Sequence, residues 1–157
     1  AAAKPNCAGK RFAIVAARFY DELVEQLIAG AKRALRECGV ADTDVDVFNV
    51  PGAFELPLAC RNLFETQRYQ ALVAVGAIVR GETPHFDFVA GQCARGIMDV
   101  QLSTGAPIGF GVLTTETYAQ AEERADPEGR NNKGYDAAIA AAALLRLASD
   151  MPRAGFR

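Results

Sequence analysis

Residues 70–89 read QALVAVGAIVRGETPHFDFV. From Ala71 to Val79 the apolar side chains are nearly unbroken. That is the mark of a strand buried on both faces of a parallel sheet, not of one with a wet face. Gly81 then permits a tight turn, Thr83 can cap a helix, and Pro84 suits a first helical position. The following PHFDFVAGQCARGIMDVQLSTG has the spacing of a long helix.

Outward from this stretch the same alternation repeats. RFAIVAARF reads as a short buried strand, and YDELVEQLIAGAKRALRECG as a helix, with Leu23, Val24, Leu27, Ile28, Ala31, Ala34 and Leu35 on one face and Gly39 as its stop. TDVDVFNVPG is a strand ended by Pro51 and Gly52, and AFELPLACRNLFETQ is a helix with Pro57 near its start. APIGFGVLTTE supplies the fourth strand. A short helix, TYAQAEERA, leads through the polar link DPEGRN to the alanine-rich KGYDAAIAAAALLRLASDM, whose small side chains allow close packing. Alternating strands and helices predict a three-layer α/β/α sandwich with a four-stranded parallel sheet, flavodoxin-like in class. The expected organisation is a flexible segment over residues 1–10 and a single domain over 11–157.

The 157 residues, half of them hydrophobic, are enough for one core without disulfide or metal staples. Net charge is -2, which argues against a dedicated nucleic-acid or polyanion binder. The four cysteines are widely spaced and there is one histidine, so a zinc site has little support. Cys60 and Cys93 fall in apolar helical patterns and read as buried thiols. The start lacks a secretory core, and no apolar run reaches membrane-spanning length. A reducing cytoplasm is the expected location.

Parallel sheets collect ligands beyond the carboxyl ends of their strands. The residues there should therefore converge: Phe19 after the first strand, GAFE after the second, RGETPH after the third, and Phe110 with TTE in or after the fourth. His85, the only histidine, falls in the first helical turn, where an imidazole can relay protons near neutral pH. The same turn offers exposed N–H groups to an anion such as phosphate. A histidine merely hydrogen-bonded at a helix start is the bland reading. Glu55 can accept hydrogen bonds from a polyhydroxyl ligand, or simply cap its helix. Phe19 can stack on a flat heterocycle or close the core. Phe54, taken alone, reads more readily as packing than as recognition. Arg124 and Lys133 flank the polar link and can grip phosphate, although each alone reads as a surface charge.

Taken together, ARF, VPGAFELP, GAIVRGETPHFDFV, GFGVLTTE, AEERA and NNKG resemble, in order and spacing, the 6,7-dimethyl-8-ribityllumazine synthase family, from about Lys10 to about Met151. The resemblance implies condensation of 5-amino-6-(D-ribitylamino)uracil with 3,4-dihydroxy-2-butanone 4-phosphate, releasing phosphate and water. This is the penultimate step of riboflavin biosynthesis, and it needs no metal or organic cofactor. It implies that Phe19 stacks on the pyrimidine and that Ala53, Phe54 and Glu55 receive the ribityl chain. Ala77, Ile78 and Val79 would pair with the uracil through backbone groups. Glu82, Thr83 and Arg124 would hold the phosphate, with Lys133 nearby, and His85 would transfer protons. Phe110 and Arg124 match positions that a neighbouring subunit contributes.

Three departures from the family pattern stand out. Position 82 is Glu where a small residue is common, position 20 is Tyr where Asn often follows RF, and the link ERADPEGRNNKG is one residue longer than ERAGTKAGNKG. In this family longer links go with pentamers rather than closed shells, so a homopentamer with sites between adjacent subunits is expected. A functional link to riboflavin synthase follows from the reaction, and neither nucleic acid nor membrane is implied. Two alternatives remain. One is a non-catalytic flavin- or lumazine-binding homologue. The other is a flavodoxin-like electron carrier, against which stands ARFYDE, unlike a Ser/Thr-rich phosphate loop.

Overall fold

Strands β1 (Phe12–Ala17), β2 (Val45–Val50), β3 (Ala71–Val79) and β4 (Ile108–Thr115) form one sheet in the order β2-β1-β3-β4. Every pairing is parallel, with Phe12 opposite Val45 and Ala71, and Ala74 opposite Phe110. The computed structural model describes residues 4–129 and 131–151. Residues 1–3 of the N-terminal segment, Arg130 of the polar link and residues 152–157 lie outside them.

Helices α1 (Asp21–Glu37), α4 (Tyr118–Glu123) and α5 (Lys133–Asp150) cover one face of the sheet, and α2 (Leu56–Glu65) and α3 (His85–Thr104) cover the other. The predicted three-layer sandwich is therefore the fold. Two cores follow from the strand period: Phe12, Ile14, Val73 and Val75 face the α1/α5 layer, while Ala13, Val15, Leu72 and Ala74 face α2 and α3. Both faces of β1 and β3 are buried, which is why their sequences do not alternate.

The alanine-rich α5 packs as closely as its composition predicts. A methyl group on Gly134 would overlap the Leu27 carbonyl of α1, and one on Gly109 would overlap the Ala137 carbonyl of α5. Gly39 ends the first helical segment with φ +82°, a conformation that glycine adopts without strain. Ahead of β1, the Cys7 N–H donates to the Cys38 carbonyl at 2.8 Å and the Cys7 side chain is buried. Two boundaries differ from the sequence reading: Asp42–Asp44 is a 3-10 turn ahead of β2, and Ala53–Glu55 is another, so that α2 begins at Leu56. Glu55 bends back to accept from the Gly52 N–H at 3.0 Å, which closes a separate tight turn before the helix starts.

Candidate active site

In the order β2-β1-β3-β4, connections leave β1 and β3 toward opposite sides, so a crevice opens between their carboxyl ends. A cavity of about 760 Å³ occupies that crevice, well within the range of small-molecule sites. Phe19 and Tyr20 enter it from the turn after β1, and Gly52, Ala53, Phe54 and Glu55 from the turn after β2. Ala77 and Ile78 come from the end of β3, and His85, Phe88 and Val89 from the first turns of α3.

Local contacts hold each piece in place. Arg18 fixes the turn before Phe19: its backbone N–H donates to the Val50 carbonyl at 2.9 Å, and its guanidinium reaches Asn49 at 2.6 Å and Glu25 at 2.6 Å. Phe19 is 76% exposed, so it faces the cavity and does not close the core. Phe54 is likewise exposed on the cavity wall and is not packing. One oxygen of the Glu55 carboxylate caps its own turn, as the capping reading expects, and the side chain also lines the cavity.

The start of α3 has no side-chain cap on its N-cap residue, Pro84. Thr83 Oγ1 accepts a long 3.4 Å bond from the His85 N–H. What pins this turn is Arg80. Its Nε donates to Glu116 just past β4 at 2.6 Å, its terminal nitrogens reach Asp87 at 3.2 and 3.4 Å, and the guanidinium lies 4.4 Å from the Phe86 ring centre. The first turn of α3, with His85 in it, is thereby tied to the ends of both β3 and β4. Sequence reading passed over Arg80, because nothing local marks a side chain whose partners are 7 and 36 residues away.

Of the residues singled out in the sequence, Phe19, Ala53, Phe54, Glu55, Ala77, Ile78 and His85 meet in the cavity. Val79 is the next residue along β3, and Glu82 and Thr83 stand exposed in the loop between β3 and His85. The fourth cluster does not join them within one chain. Phe110 sits in mid-β4 opposite Ala74, on the sheet's edge, and is 41% exposed. Arg124 and Lys133 are neighbours through a 2.9 Å bond from the Lys133 N–H to the Arg124 carbonyl, and neither lines the cavity. Arg124 donates to the Gln120 carbonyl at 2.9 Å, and Lys133 lies 3.7 Å from Asp136.

Asn132 sets the Arg124–Lys133 pair and was not marked by sequence reading. Fully buried, it donates through Nδ2 to the carbonyls of Gln26 (3.1 Å) and Asp126 (2.9 Å), and its Oδ1 accepts from the Tyr135 N–H at 3.0 Å. An Asn directly before a helical pattern is a cap signal, which was the available clue. Phe88 and Val89 had none beyond helical spacing. The thiols carry no sign of reactivity: burial pushes Cys60 up to about 12 and Cys93 up to about 11. Among the described residues no cluster of three metal-ligating side chains forms, and no helix is long and apolar enough to cross a membrane.

The fold and this cavity define a flavodoxin-like α/β protein with an aromatic-walled cavity at the switch point of its sheet. The family model described as 6,7-dimethyl-8-ribityllumazine synthase matches residues 9–149. A protein named 6,7-dimethyl-8-ribityllumazine synthase from Desulfatibacillum aliphaticivorans is 46% identical over 140 residues, covering 89% of this chain and 90% of the relative. One of the same name from Syntrophus aciditrophicus (strain SB) is 45% identical over 139 residues, covering 88% and 90%. The chain belongs to the 6,7-dimethyl-8-ribityllumazine synthase family.

Proposed function

We propose that the cavity condenses 5-amino-6-(D-ribitylamino)uracil with 3,4-dihydroxy-2-butanone 4-phosphate to give 6,7-dimethyl-8-ribityllumazine. The observation that carries this reading is the convergence of Phe19, the 53–55 turn, the end of β3 and His85 on one cavity, in a chain of this family. Phe19 offers an exposed ring face for the pyrimidine. Ala77, Ile78 and Val79 supply backbone groups for the uracil edge, and Ala53, Phe54 and Glu55 receive the ribityl chain. Thr83, with the backbone of Glu82, meets the phosphate at the mouth of α3.

The chemistry fits these parts. The pyrimidine's amine attacks the ketone and an imine forms with loss of water. Phosphate is then eliminated, and the ribitylamino nitrogen closes the ring with loss of a second water. Each step moves a proton, and His85 is the imidazole at hand in the cavity wall. Alignment of two bound substrates can save roughly 7–11 kcal/mol, so the larger share of the acceleration comes from binding and the smaller from proton relay.

Phe110, Arg124 and Lys133 act in this reading from an adjacent subunit, with Arg124 on the phosphate. Support comes from their positions off their own chain's cavity and from the exposure of Phe110 on an edge strand. The assembly is a pentamer of a 16.7 kDa chain, about 84 kDa, working in the cytoplasm and passing its product to riboflavin synthase. Sedimentation at shell size, far above the pentamer, overturns the pentamer. The reaction is tested by following lumazine formation by absorbance, above the uncatalysed background, with wild type and His85→Ala. The expected result is rapid wild-type turnover and a folded mutant slowed roughly 10²-fold but not abolished. Wild-type protein that binds lumazine without turnover would make the chain a binding protein instead.

A further inference from the structure

Position 20 is the N-cap of α1, where Ser, Thr, Asp or Asn would accept a hydrogen bond from the first helical turn. The residue there is Tyr20, which makes no side-chain cap. A broken local rule beside a ligand cavity asks for a compensating role. The ring of Tyr20 is partly buried on the α1/α5 core and lines the cavity. It meets Phe19 edge-on, with centroids 5.0 Å apart at 73°, and lies 5.8 Å from Tyr118 at 57°. Phe19 itself is 76% exposed. An aromatic side chain that far into solvent moves among rotamers unless a neighbour restrains it. Tyr20, itself backed by Tyr118 at the start of α4, is that neighbour.

We infer that Tyr20 is a positioning residue for recognition of the flat heterocycle: its ring, braced by Tyr118, holds Phe19 with a face presented to the cavity. The inference rests on the reading of Phe19 as the stacking platform. The helix gives up a cap, and the site gains a preorganised ring. The effect belongs to the ring-bearing ligand and leaves the phosphate-bearing substrate aside. It also belongs to the ring of Tyr20 and not to its hydroxyl.

The test is fluorescence titration of the full-length assembled protein with 6,7-dimethyl-8-ribityllumazine, alongside thermal unfolding and steady-state kinetics in both substrates. Aromatic pairs of this geometry are worth a factor of roughly 2 to 12 in an equilibrium constant. Tyr20→Asn is expected to raise the lumazine Kd and the pyrimidine KM by such a factor. The KM of the butanone phosphate should stay within twofold, and the melting temperature should change little, because the cap that Asn restores offsets the ring's lost packing on the core. Tyr20→Phe should bind as wild type, and Phe19→Ala should weaken lumazine binding at least as much as Tyr20→Asn. If Phe19→Ala weakens binding and Tyr20→Asn does not, the positioning role is overturned and the platform stands. If neither weakens it, the platform falls and the inference with it. A Tyr20→Phe loss equal to that of Tyr20→Asn would overturn the ring account in favour of the hydroxyl. An equal rise in both KM values with a lower melting temperature would reduce Tyr20 to a structural part.

Discussion

Gly30 lies in the middle of α1, where glycine is the wrong residue for a helix by about 1 kcal/mol relative to alanine. Ordinarily Gly30→Ala would stabilise. Here a methyl group at that position would stand within 2.6 Å of Asn132 Nδ2 and closer still to Oδ1 and Cγ. Asn132 is fully buried, caps α5 through Tyr135, and bonds the carbonyls of Gln26 and Asp126. Displacing it forfeits a cap worth about 0.5–2 kcal/mol and two further hydrogen bonds of about 1 kcal/mol each. Gly30→Ala should therefore destabilise by about 1–3 kcal/mol net, and Asn132→Ala by about 2–4 kcal/mol.

The pair is not additive. Once Asn132 is alanine its carboxamide is gone, and Gly30→Ala recovers its helical advantage, so the double variant should be about 1 kcal/mol more stable than Asn132→Ala alone. The coupling is then about 2–4 kcal/mol, far above the few tenths expected of independent sites. Urea unfolding at one fixed protein concentration measures it, since assembly links stability to concentration. In melting temperature each kcal/mol is about 2–4 °C for a chain of this size. A Gly30→Ala variant more stable than wild type, or additive effects in the cycle, would refute the packing argument.

With the phosphate placed as proposed, Glu82→Gln should lower the KM of the butanone phosphate roughly two- to fivefold by removing one exposed like charge beside it, and leave the pyrimidine KM unmoved; initial rates in each substrate decide it. The raised thiol of Cys60 means that the folded protein keeps a proton which the unfolded chain releases near pH 9, so stability is lost as pH rises from 9 toward about 12. The slope attributable to Cys60 is about 1.4 kcal/mol per pH unit, and Cys60→Ala should flatten alkaline unfolding curves accordingly. If Arg124 serves a neighbour's cavity, His85→Ala and Arg124→Ala chains that are dissociated, mixed equally and reassembled should regain about a quarter of wild-type sites by random pairing. No recovery in properly reassembled mixtures would place Arg124 in its own chain's site.

The sheet was legible because β1 and β3 are apolar on both faces and the turns after them hold Phe19, Gly81 and Pro84, each a recognisable signal. Within the site, residues close to strand ends converged as the carboxyl-end rule requires. Phe110 did not, since it lies in mid-strand opposite Ala74, short of the carboxyl end where the turns meet. The 3-10 turn at 53–55 escaped because Glu55 closes back on Gly52 instead of continuing the helix. The contacts of Arg80, and of Gly30 with Asn132, join segments remote in sequence, and no local pattern encodes a partner that far away.

In the proposed arrangement the exposure of the cavity wall links catalysis to assembly. Phe19, Phe54 and Phe88 are 76%, 61% and 67% exposed, whereas the core beneath them at Ala74, Val75 and Leu56 is sealed. A site in this condition has rigid backing and an open front. Roughly 7–11 kcal/mol of rate enhancement is available only while both substrates stay aligned and water is kept out. An open apolar wall does neither until something covers it. In the proposed arrangement the bound heterocycle covers Phe19 and the neighbouring edge strand brings Phe110 across the remainder. An isolated chain would keep its fold, since the core does not depend on that front, but it would hold its substrates loosely. Specific activity should therefore fall with dilution through the association constant of the assembly while far-ultraviolet circular dichroism stays constant. Equal specific activity in monomer and assembly would mean that one chain completes the site alone.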